Sequence, residues 1–160
     1  MAERRGAADM RALARQLLDS GSYGDEPVRR SAAIAEPLLV AGPRREPHSW
    51  LVGLTIADRL AAVFQFLLDG TVMRYSSYQR KAGDLTHGPP ARDWLDADVV
   101  RAHATANARP GERIEDLWLT YDRNPDRVVW AARLRGGASS RTLFVAGDSV
   151  YEPPPASTFG

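Results

Sequence analysis

The sequence predicts an α+β fold built from two helix-plus-antiparallel-sheet units. In each half of the chain, one amphipathic helix pattern is followed by runs with strand character and turn signals. Three pairs of identical apolar residues also recur 80 positions apart, half the 160-residue length: Trp50 and Trp130, Leu54 and Leu134, Phe64 and Phe144. We therefore expect a pseudo-duplicate with units at 1–80 and 93–154, a linker over 81–92 and a flexible tail over 155–160.

The first half predicts one helix, a short strand and a three-strand meander. The helix is predicted by an apolar stripe at helical spacing, formed by Met10, Leu13, Ala14, Leu17 and Leu18. "SYGDEPVRR" is typical of a turn region, and a short edge strand is expected over 38–41 between prolines. The meander comprises "SWLVGLTI", "LAAVFQFLL" and "TVMRYSSY", joined by "ADR" and by "DG", where Gly70 can adopt positive φ.

The second half repeats this order. Asp93 or Asp96 is expected to cap a helix through "DADVVRAHATANA", which "ARPG" ends. Strands are predicted in "RIEDLWLTYD", "RVVWAARL" and "RTLFVAG", with a final "VYEP" after a turn. Trp50, Trp118 and Trp130 lie in apolar strands, so we assign all three to the core.

Composition excludes several classes of function. With 21 basic and 20 acidic residues the net charge is +1, too small to attract nucleic acid or an anionic membrane. No cysteine is present, which excludes disulfides and thiolate chemistry. In the N-terminal segment, Arg11, Arg15 and Asp19 interrupt any apolar run of the length a secretory signal needs, and no stretch of the sequence approaches the length of a membrane span. We expect a cytoplasmic protein.

The sequence favours a non-enzymatic protein. Its three histidines show no metal-binding spacing, and His103 is expected to be a packed, hydrogen-bonded residue of the second helix. Glu115 and Asp116 are adjacent in a strand and point to opposite faces, so they cannot act together on one substrate. Nucleophile-elbow and phosphate-loop patterns do not occur. No catalytic residue, metal or cofactor is predicted.

Residues 96–154 resemble a known family. Their helix is followed by a strand with an aromatic residue, and then by a strand ending in "GD" before Val and Tyr. This outline is similar to PepSY domains and, more loosely, to cystatin-like folds; residues 49–78 resemble its last three strands. The resemblance implies a non-catalytic module that binds or restrains a partner, in some relatives a peptidase. It supplies no catalytic residues.

A Tyr/Arg strand is the candidate surface for a protein partner. "MRYSSYQRK" alternates, so Arg74, Tyr78 and Arg80 are expected on one side and Tyr75 on the other. Trp94, next to the second helix, is either a hydrophobic staple or a further contact residue. The predicted function is a protein-binding module, inhibitory, immunity-like or chaperone-like, that presents a sheet face or edge to another protein.

The alternative is a cystatin-like or NTF2-like small-molecule site, enzymatic or not, between a curved sheet and its helix. Tyr75, Tyr78 or His103 would then be polar groups of an apolar pocket. The two hypotheses predict different geometry. A cavity of some hundreds of Å³ with convergent polar groups would favour a ligand, whereas filled cores and a flat Tyr/Arg surface would favour a protein partner.

Overall fold

The described residues form four helices and two antiparallel sheets in a computed structural model that describes residues 3–79, 81, 84 and 87–153. The predicted α+β class is therefore confirmed. The helices are α1 (Ala7–Asp19), α2 (Glu26–Ser31), α3 (Ala91–Leu95) and α4 (Ala97–Ala106). The strands are β1 (Ala33–Ile34), β2 (Leu38–Ala41), β3 (Pro47–Ile56), β4 (Arg59–Leu67), β5 (Val72–Ser77), β6 (Arg113–Tyr121), β7 (Val128–Gly136), β8 (Ser139–Ala146) and β9 (Ser149–Tyr151).

Both sheets contain a meander. In the first sheet the order is β1-β3-β4-β5, and β2 also pairs with β3. The second sheet has the order β6-β7-β8-β9. The turns follow the sequence signals, since Gly70 has φ +94° and Gly137 has φ +60°. Asp96 caps α4 by accepting a hydrogen bond from the Asp98 backbone N–H, which decides between the two predicted caps.

The segment predicted as a turn region contains a helix, α2. Asp25 is its N-cap and accepts a hydrogen bond from the Val28 N–H, and Pro27 lies in its first turn, where no N–H is needed. Val28 is fully buried. The prediction was wrong because one apolar residue among charged neighbours shows no helical period.

The first core, which we call the α1-side core, lies between the first sheet and helices α1 and α2. Met10, Ala14 and Leu18 form the buried stripe of α1, as the sequence predicts. They pack against one face of the sheet, which includes Val52, Leu54, Phe64 and Phe66.

The second core, the inter-sheet core, joins the two halves of the chain. The other face of the first sheet supplies Leu51, Leu60 and Val63. These residues pack in the same cluster as Val100 and Ala104 of α4 and the inner face of the second sheet, which includes Leu119, Trp130, Ala132, Leu134, Leu143 and Val145. The first sheet is therefore covered on both faces, by α1 and α2 on one side and by the second half on the other.

The three tryptophans assigned to the core have different positions. Trp130 is 6% exposed in the inter-sheet core, whereas Trp50 is half-buried against the α1-side core. For Trp118 the assignment was wrong. Its neighbours Leu117 and Leu119 pack in the inter-sheet core, so strand alternation places Trp118 on the outer face of the second sheet, where the guanidinium of Arg45 lies 4.1 Å from its ring.

The 80-residue spacing has a partial counterpart in the strand pairing. Leu39 faces Trp50 across β2 and β3, and Leu119 faces Trp130 across β6 and β7. The two leucines are 80 positions apart, and so are the two tryptophans. The correspondence slips by one residue in the next strand. Phe64 faces Val52 and shares the face of Trp50, while Phe144 faces Ala131, on the face opposite Trp130.

The two indole N–H groups also have related partners. Trp50 Nε1 donates to the carbonyl of Arg5, 3.1 Å away and just before α1. Trp130 Nε1 donates to the carbonyl of Trp94, 2.8 Å away and just before α4. In each half, a tryptophan on a central strand is thus bonded to the backbone that leads into the main helix.

Candidate functional site

A cleft of about 330 Å³ opens between the first sheet and the end of the second sheet. We call it the inter-sheet cleft. It lies where β7 begins and β8 ends. Its lining residues are Leu51, Leu60, Val63, Arg74, Tyr78, Trp94, Asp126, Arg127, Val128, Val129, Ala146 and Tyr151.

The cleft differs from two larger hollows in its walls. One of about 440 Å³ lies at the turn between β3 and β4, and one of about 620 Å³ lies beside α1. Neither has a buried apolar wall, apart from Ile34 in the second. The inter-sheet cleft has a wall of five buried apolar residues and, beside it, the cation Arg74 and two tyrosines. The wall is formed by Leu51, Leu60, Val63, Val128 and Val129. A binding site for an organic molecule needs this combination.

Arg74 is the charged group that is fixed in the cleft. It is half-buried, and its Nε donates to Gln65 Oε1 at 2.7 Å, while its Nη1 donates to Ser76 Oγ at 2.8 Å. Burial lowers the pKa of the guanidinium, and the nearby Tyr78 and Asp126 act in the opposite direction. Arginine nevertheless stays cationic at neutral pH.

Gln65 holds Arg74 and connects the two sheets. The side chain is fully buried in β4, and its Nε2 donates to Ser49 Oγ and to the Pro125 carbonyl, both at 2.9 Å. Its Oε1 accepts from Arg74, so both amide hydrogens and the oxygen are used. The bond to Pro125 ties the first sheet to the loop before β7. Gln65 was not predicted as a site residue. It is the one polar residue within the apolar run "LAAVFQFLL", and this position indicates a buried, hydrogen-bonded side chain.

Two tyrosine hydroxyls complete the polar part of the cleft. Burial raises the pKa of Tyr78, against the opposing influence of Arg74. Burial, followed by a 2.7 Å hydrogen bond to Asp122 Oδ2, raises the pKa of Tyr151 to about 12. Both hydroxyls are therefore protonated at neutral pH. The hydrogen of Tyr151 is used on Asp122, so towards the cleft this hydroxyl offers an acceptor, whereas Tyr78 can donate.

Trp94 forms the wall opposite the strands. Its ring lies against the turn between β8 and β9, where a Cβ added to Gly147 would be 3.2 Å from Trp94 Nε1. The backbone carbonyl of Trp94 accepts the indole N–H of Trp130. α3 is therefore fixed to the second sheet, which gives the cleft a rigid aromatic side.

The structure brings three of the five predicted site residues together. Arg74, Tyr78 and Trp94 all line the cleft. Tyr75 lies on the opposite face of β5, as the alternation predicted, and packs on Phe64 with ring centroids 5.0 Å apart. Arg80 lies outside the described residues.

The alternative prediction of a pocket between a sheet and its helix is met only in part. Tyr78 lines the cleft, but Tyr75 and His103 do not. His103 Nε2 lies 3.1 Å from Asp93 Oδ1, so this histidine is hydrogen-bonded as expected. The cleft residues that sequence reasoning missed come from the start of β7 and from β9, namely Asp126, Arg127, Val128, Val129 and Tyr151.

Comparison with known proteins assigns the chain to no family. No family model matches the chain, and no curated protein or solved structure matches it. Among residues 3–79, 81, 84 and 87–153, no three His, Cys, Asp or Glu side chains are grouped in a way that could hold a metal ion. Within the same residues, no helix has the length and apolarity needed to cross a membrane.

Proposed function

We propose that the protein binds a small organic molecule in the inter-sheet cleft. One observation carries the proposal: a cleft of about 330 Å³ has a buried apolar wall on one side and Arg74, Tyr78 and Tyr151 among its lining residues. Ligand sites of about 300–1,000 Å³ with mostly apolar walls and a few fixed polar groups are typical for molecules of this size.

The lining groups support binding more than catalysis. Arg74 is a fixed cation, and the hydroxyls of Tyr78 and Tyr151 have raised pKa values, so both tyrosines stay protonated at neutral pH. Arg74 and Tyr78 can donate to a ligand, and Tyr151, whose hydrogen is bonded to Asp122, can accept. A catalyst of proton transfer would instead have a pKa close to the working pH. We therefore assign these residues to recognition.

The proposal is tested by titrating ¹⁵N-labelled protein with naphthalene-1-acetamide and with naphthalene-1-acetate. We expect amide shifts at Val128, Val129 and Trp94 with either probe, and a dissociation constant on the order of 1 mM for ligands of this size. Ala146→Phe, which fills the cleft, abolishes the shifts. Ser140→Phe on the same strand, at an exposed position outside the cleft, is the matched control. If neither probe shifts these amides, or if Ala146→Phe still binds, the proposal fails.

The second candidate function is the protein-binding module suggested by the PepSY-like and cystatin-like resemblance. It is favoured by β5, a six-residue strand for which the described residues provide only one pairing neighbour, β4. Another edge strand, β1, is protected, because Arg11 and Arg15 donate to the carbonyls of Ile34 and Ala32. A partner strand could therefore add to β5.

Pull-downs from the source cells test this candidate. A partner that binds at β5 is lost with Tyr78→Ala and retained with Ser140→Ala on the second sheet. Equal capture by the wild type and both variants removes β5 as the contact surface. A cytoplasmic location stays a prediction, which fractionation of the same cells tests.

We also propose that the two halves are copies of one helix-plus-sheet unit. The support is the common register of Leu39 with Trp50 and of Leu119 with Trp130, together with the related indole hydrogen bonds. In this scheme β2 to β5 correspond to β6 to β9, and α1 corresponds to α4. The one-residue slip at Phe144 would be a deletion in the turn before β8.

A further inference from the structure

We propose that the ligand of the inter-sheet cleft is an organic monocarboxylate whose carboxylate pairs with Arg74 and whose apolar body lies against the buried wall. This inference rests on the proposed binding function and names its ligand class. It depends on three observations: the hydrogen-bond partners of Arg74, the charged residues around the cleft, and the guanidinium N–H groups that have no acceptor among the described residues.

Arg74 has only neutral hydrogen-bond partners among the described residues. These are the amide oxygen of Gln65 and the hydroxyl of Ser76. By contrast, Arg45 and Arg141 each have a carboxylate partner, Asp116 and Glu112. A half-buried cation without a bonded anion is unfavourable, and an anion bound beside it offsets this desolvation.

The free part of the Arg74 guanidinium suits a carboxylate. Nε uses its hydrogen on Gln65, and Nη1 uses one of its two on Ser76. One hydrogen on Nη1 and two on Nη2 then remain, since no described residue accepts from Nη2. The N–H groups left on Nη1 and Nη2 can donate to the oxygens of a carboxylate. Gln65 and Ser76 hold the guanidinium in place before the ligand arrives, which lowers the entropy lost on binding.

The charges around the cleft indicate a single negative charge on the ligand. The charged lining residues are Arg74, Arg127 and Asp126. Arg127 lies 3.9 Å from the carboxylate of Asp122, its ion-pair partner, so Arg74 is the cation left for a ligand. Against the larger effect of burial, Asp126 raises the pKa of Arg74, but it is exposed and makes no hydrogen bond to the guanidinium, so solvent weakens this interaction. Arg127 is also exposed at the rim, with 60% of its side chain accessible, where solvent screens its charge.

The test compares two probes that share a body and differ in charge. At pH 7 and low salt, we expect wild-type protein to bind naphthalene-1-acetate about ten-fold more tightly than naphthalene-1-acetamide, as a bidentate ionic contact provides. Arg74→Met reduces this ratio to about two-fold or less and leaves amide binding within about three-fold. Arg101→Met is the matched control and keeps the preference, because Arg101 is exposed on α4 and does not line the cleft.

Arg74→Lys keeps the charge and loses the planar fork, so we expect an intermediate preference of about three-fold. This variant also serves if Arg74→Met does not fold. Equal binding of the two probes by the wild type overturns the carboxylate inference and leaves the proposed function in place. A preference that survives Arg74→Met overturns the inference as well. If neither probe binds at all, the proposed function fails with it.

Discussion

Gln65 is the residue on which the candidate site depends most. It is fully buried, uses every polar atom of its side chain, and links Ser49, Arg74 and Pro125. A buried amide is favourable only when it is fully bonded in this way. The orientation of Arg74 in the cleft therefore follows from one uncharged side chain on the neighbouring strand.

Gln65→Leu should destabilise the protein strongly. The substitution introduces an apolar side chain of similar size, but it leaves Arg74 Nε and the Pro125 carbonyl without their partner and leaves Ser49 Oγ with only His48 Nδ1. We expect the free energy of unfolding to fall by about 2–4 kcal/mol, measured by urea denaturation. Ser49→Ala removes the bonds of Ser49 Oγ to Gln65 Nε2 and His48 Nδ1 but keeps those of Gln65 to Arg74 and Pro125, and it should lower the free energy of unfolding by about 1–2 kcal/mol. Equal effects of the two substitutions would contradict a role for Gln65 beyond its bond to Ser49.

Glu112 provides a prediction about pH. Arg141 donates to both of its carboxylate oxygens at 2.8 Å, and the Arg109 N–H donates at 2.7 Å. These hydrogen bonds, that of Arg141 first, lower the pKa of Glu112 from 4.5 to about 2. Because the folded-state pKa is lowered, the stabilisation is complete above about pH 4.5 and is lost as the pH falls towards 2.

The difference in urea midpoint between wild type and Glu112→Gln measures this effect. It should be large at pH 7, smaller at pH 3 and close to zero near pH 2. Glu36→Gln is the matched control, since Glu36 forms an exposed ion pair with Arg11 at 3.6 Å and should matter little at any pH. A difference in urea midpoint that does not change with pH would show that the ion pair of Glu112 with Arg141 does not cause the stabilisation.

The elements differ in how far local sequence predicts them. The helix stripe of α1, the strand runs of β3 to β8 and the glycine turns were all predicted, because each depends on residues close in the chain. α2, the two-residue strand β1 and the five-residue helix α3, which begins in the predicted linker, were not. α2 has one buried residue, Val28, and β1 exists because Ala33 and Ile34 pair with Thr55 and Leu54 of β3. Short elements of this kind depend on tertiary partners.

Tryptophan-to-phenylalanine substitutions test the relation between the two halves. Trp50→Phe and Trp130→Phe keep an aromatic ring and remove the N–H that bonds to the backbone before α1 or α4. We expect a loss of about 0.5–1 kcal/mol for Trp50→Phe and about 1–3 kcal/mol for Trp130→Phe in urea denaturation, because the bond lost with Trp130 is part-buried whereas the bond lost with Trp50 is exposed.

Amide hydrogen exchange distinguishes the proposed equivalence from general destabilisation. Trp50→Phe should increase exchange first at the start of α1, and Trp130→Phe at the start of α4. Trp118→Phe, on the outer face of the second sheet, should affect neither helix. If both core variants increased exchange in the same helix, the proposed equivalence of the two indole bonds would be wrong.

At the scale of the whole molecule, the inter-sheet core makes the halves dependent on each other. Leu60 of the first sheet and Leu134 of the second belong to the same buried cluster and are 1% and 0% exposed. Thr120 Oγ1 also donates to the Ala41 carbonyl at 2.8 Å, which joins β6 to β2. We therefore expect one cooperative unfolding transition, although the sequence suggested two units.

Leu60→Ala and Leu134→Ala test this expectation. Each should lower the free energy of unfolding by about 2–5 kcal/mol. Far-UV circular dichroism and tryptophan fluorescence should follow the same urea curve in both variants. Two separated transitions, with each variant moving only one of them, would show that the halves unfold independently.

The sequence by itself determined the α+β class, the two meanders, the α1 stripe and the alternation that separates Tyr75 from Tyr78. These features depend on the period of side chains along a single element, which can be read locally. Only the tertiary structure decided that Arg74, Tyr78 and Trp94 meet residues of β7 and β9 in one cleft, and that the Leu117/Leu119 face of β6 packs inward, which leaves Trp118 outside the core. The physical reason is that a cleft between sheets depends on packing between distant segments, and no local pattern records which faces will meet.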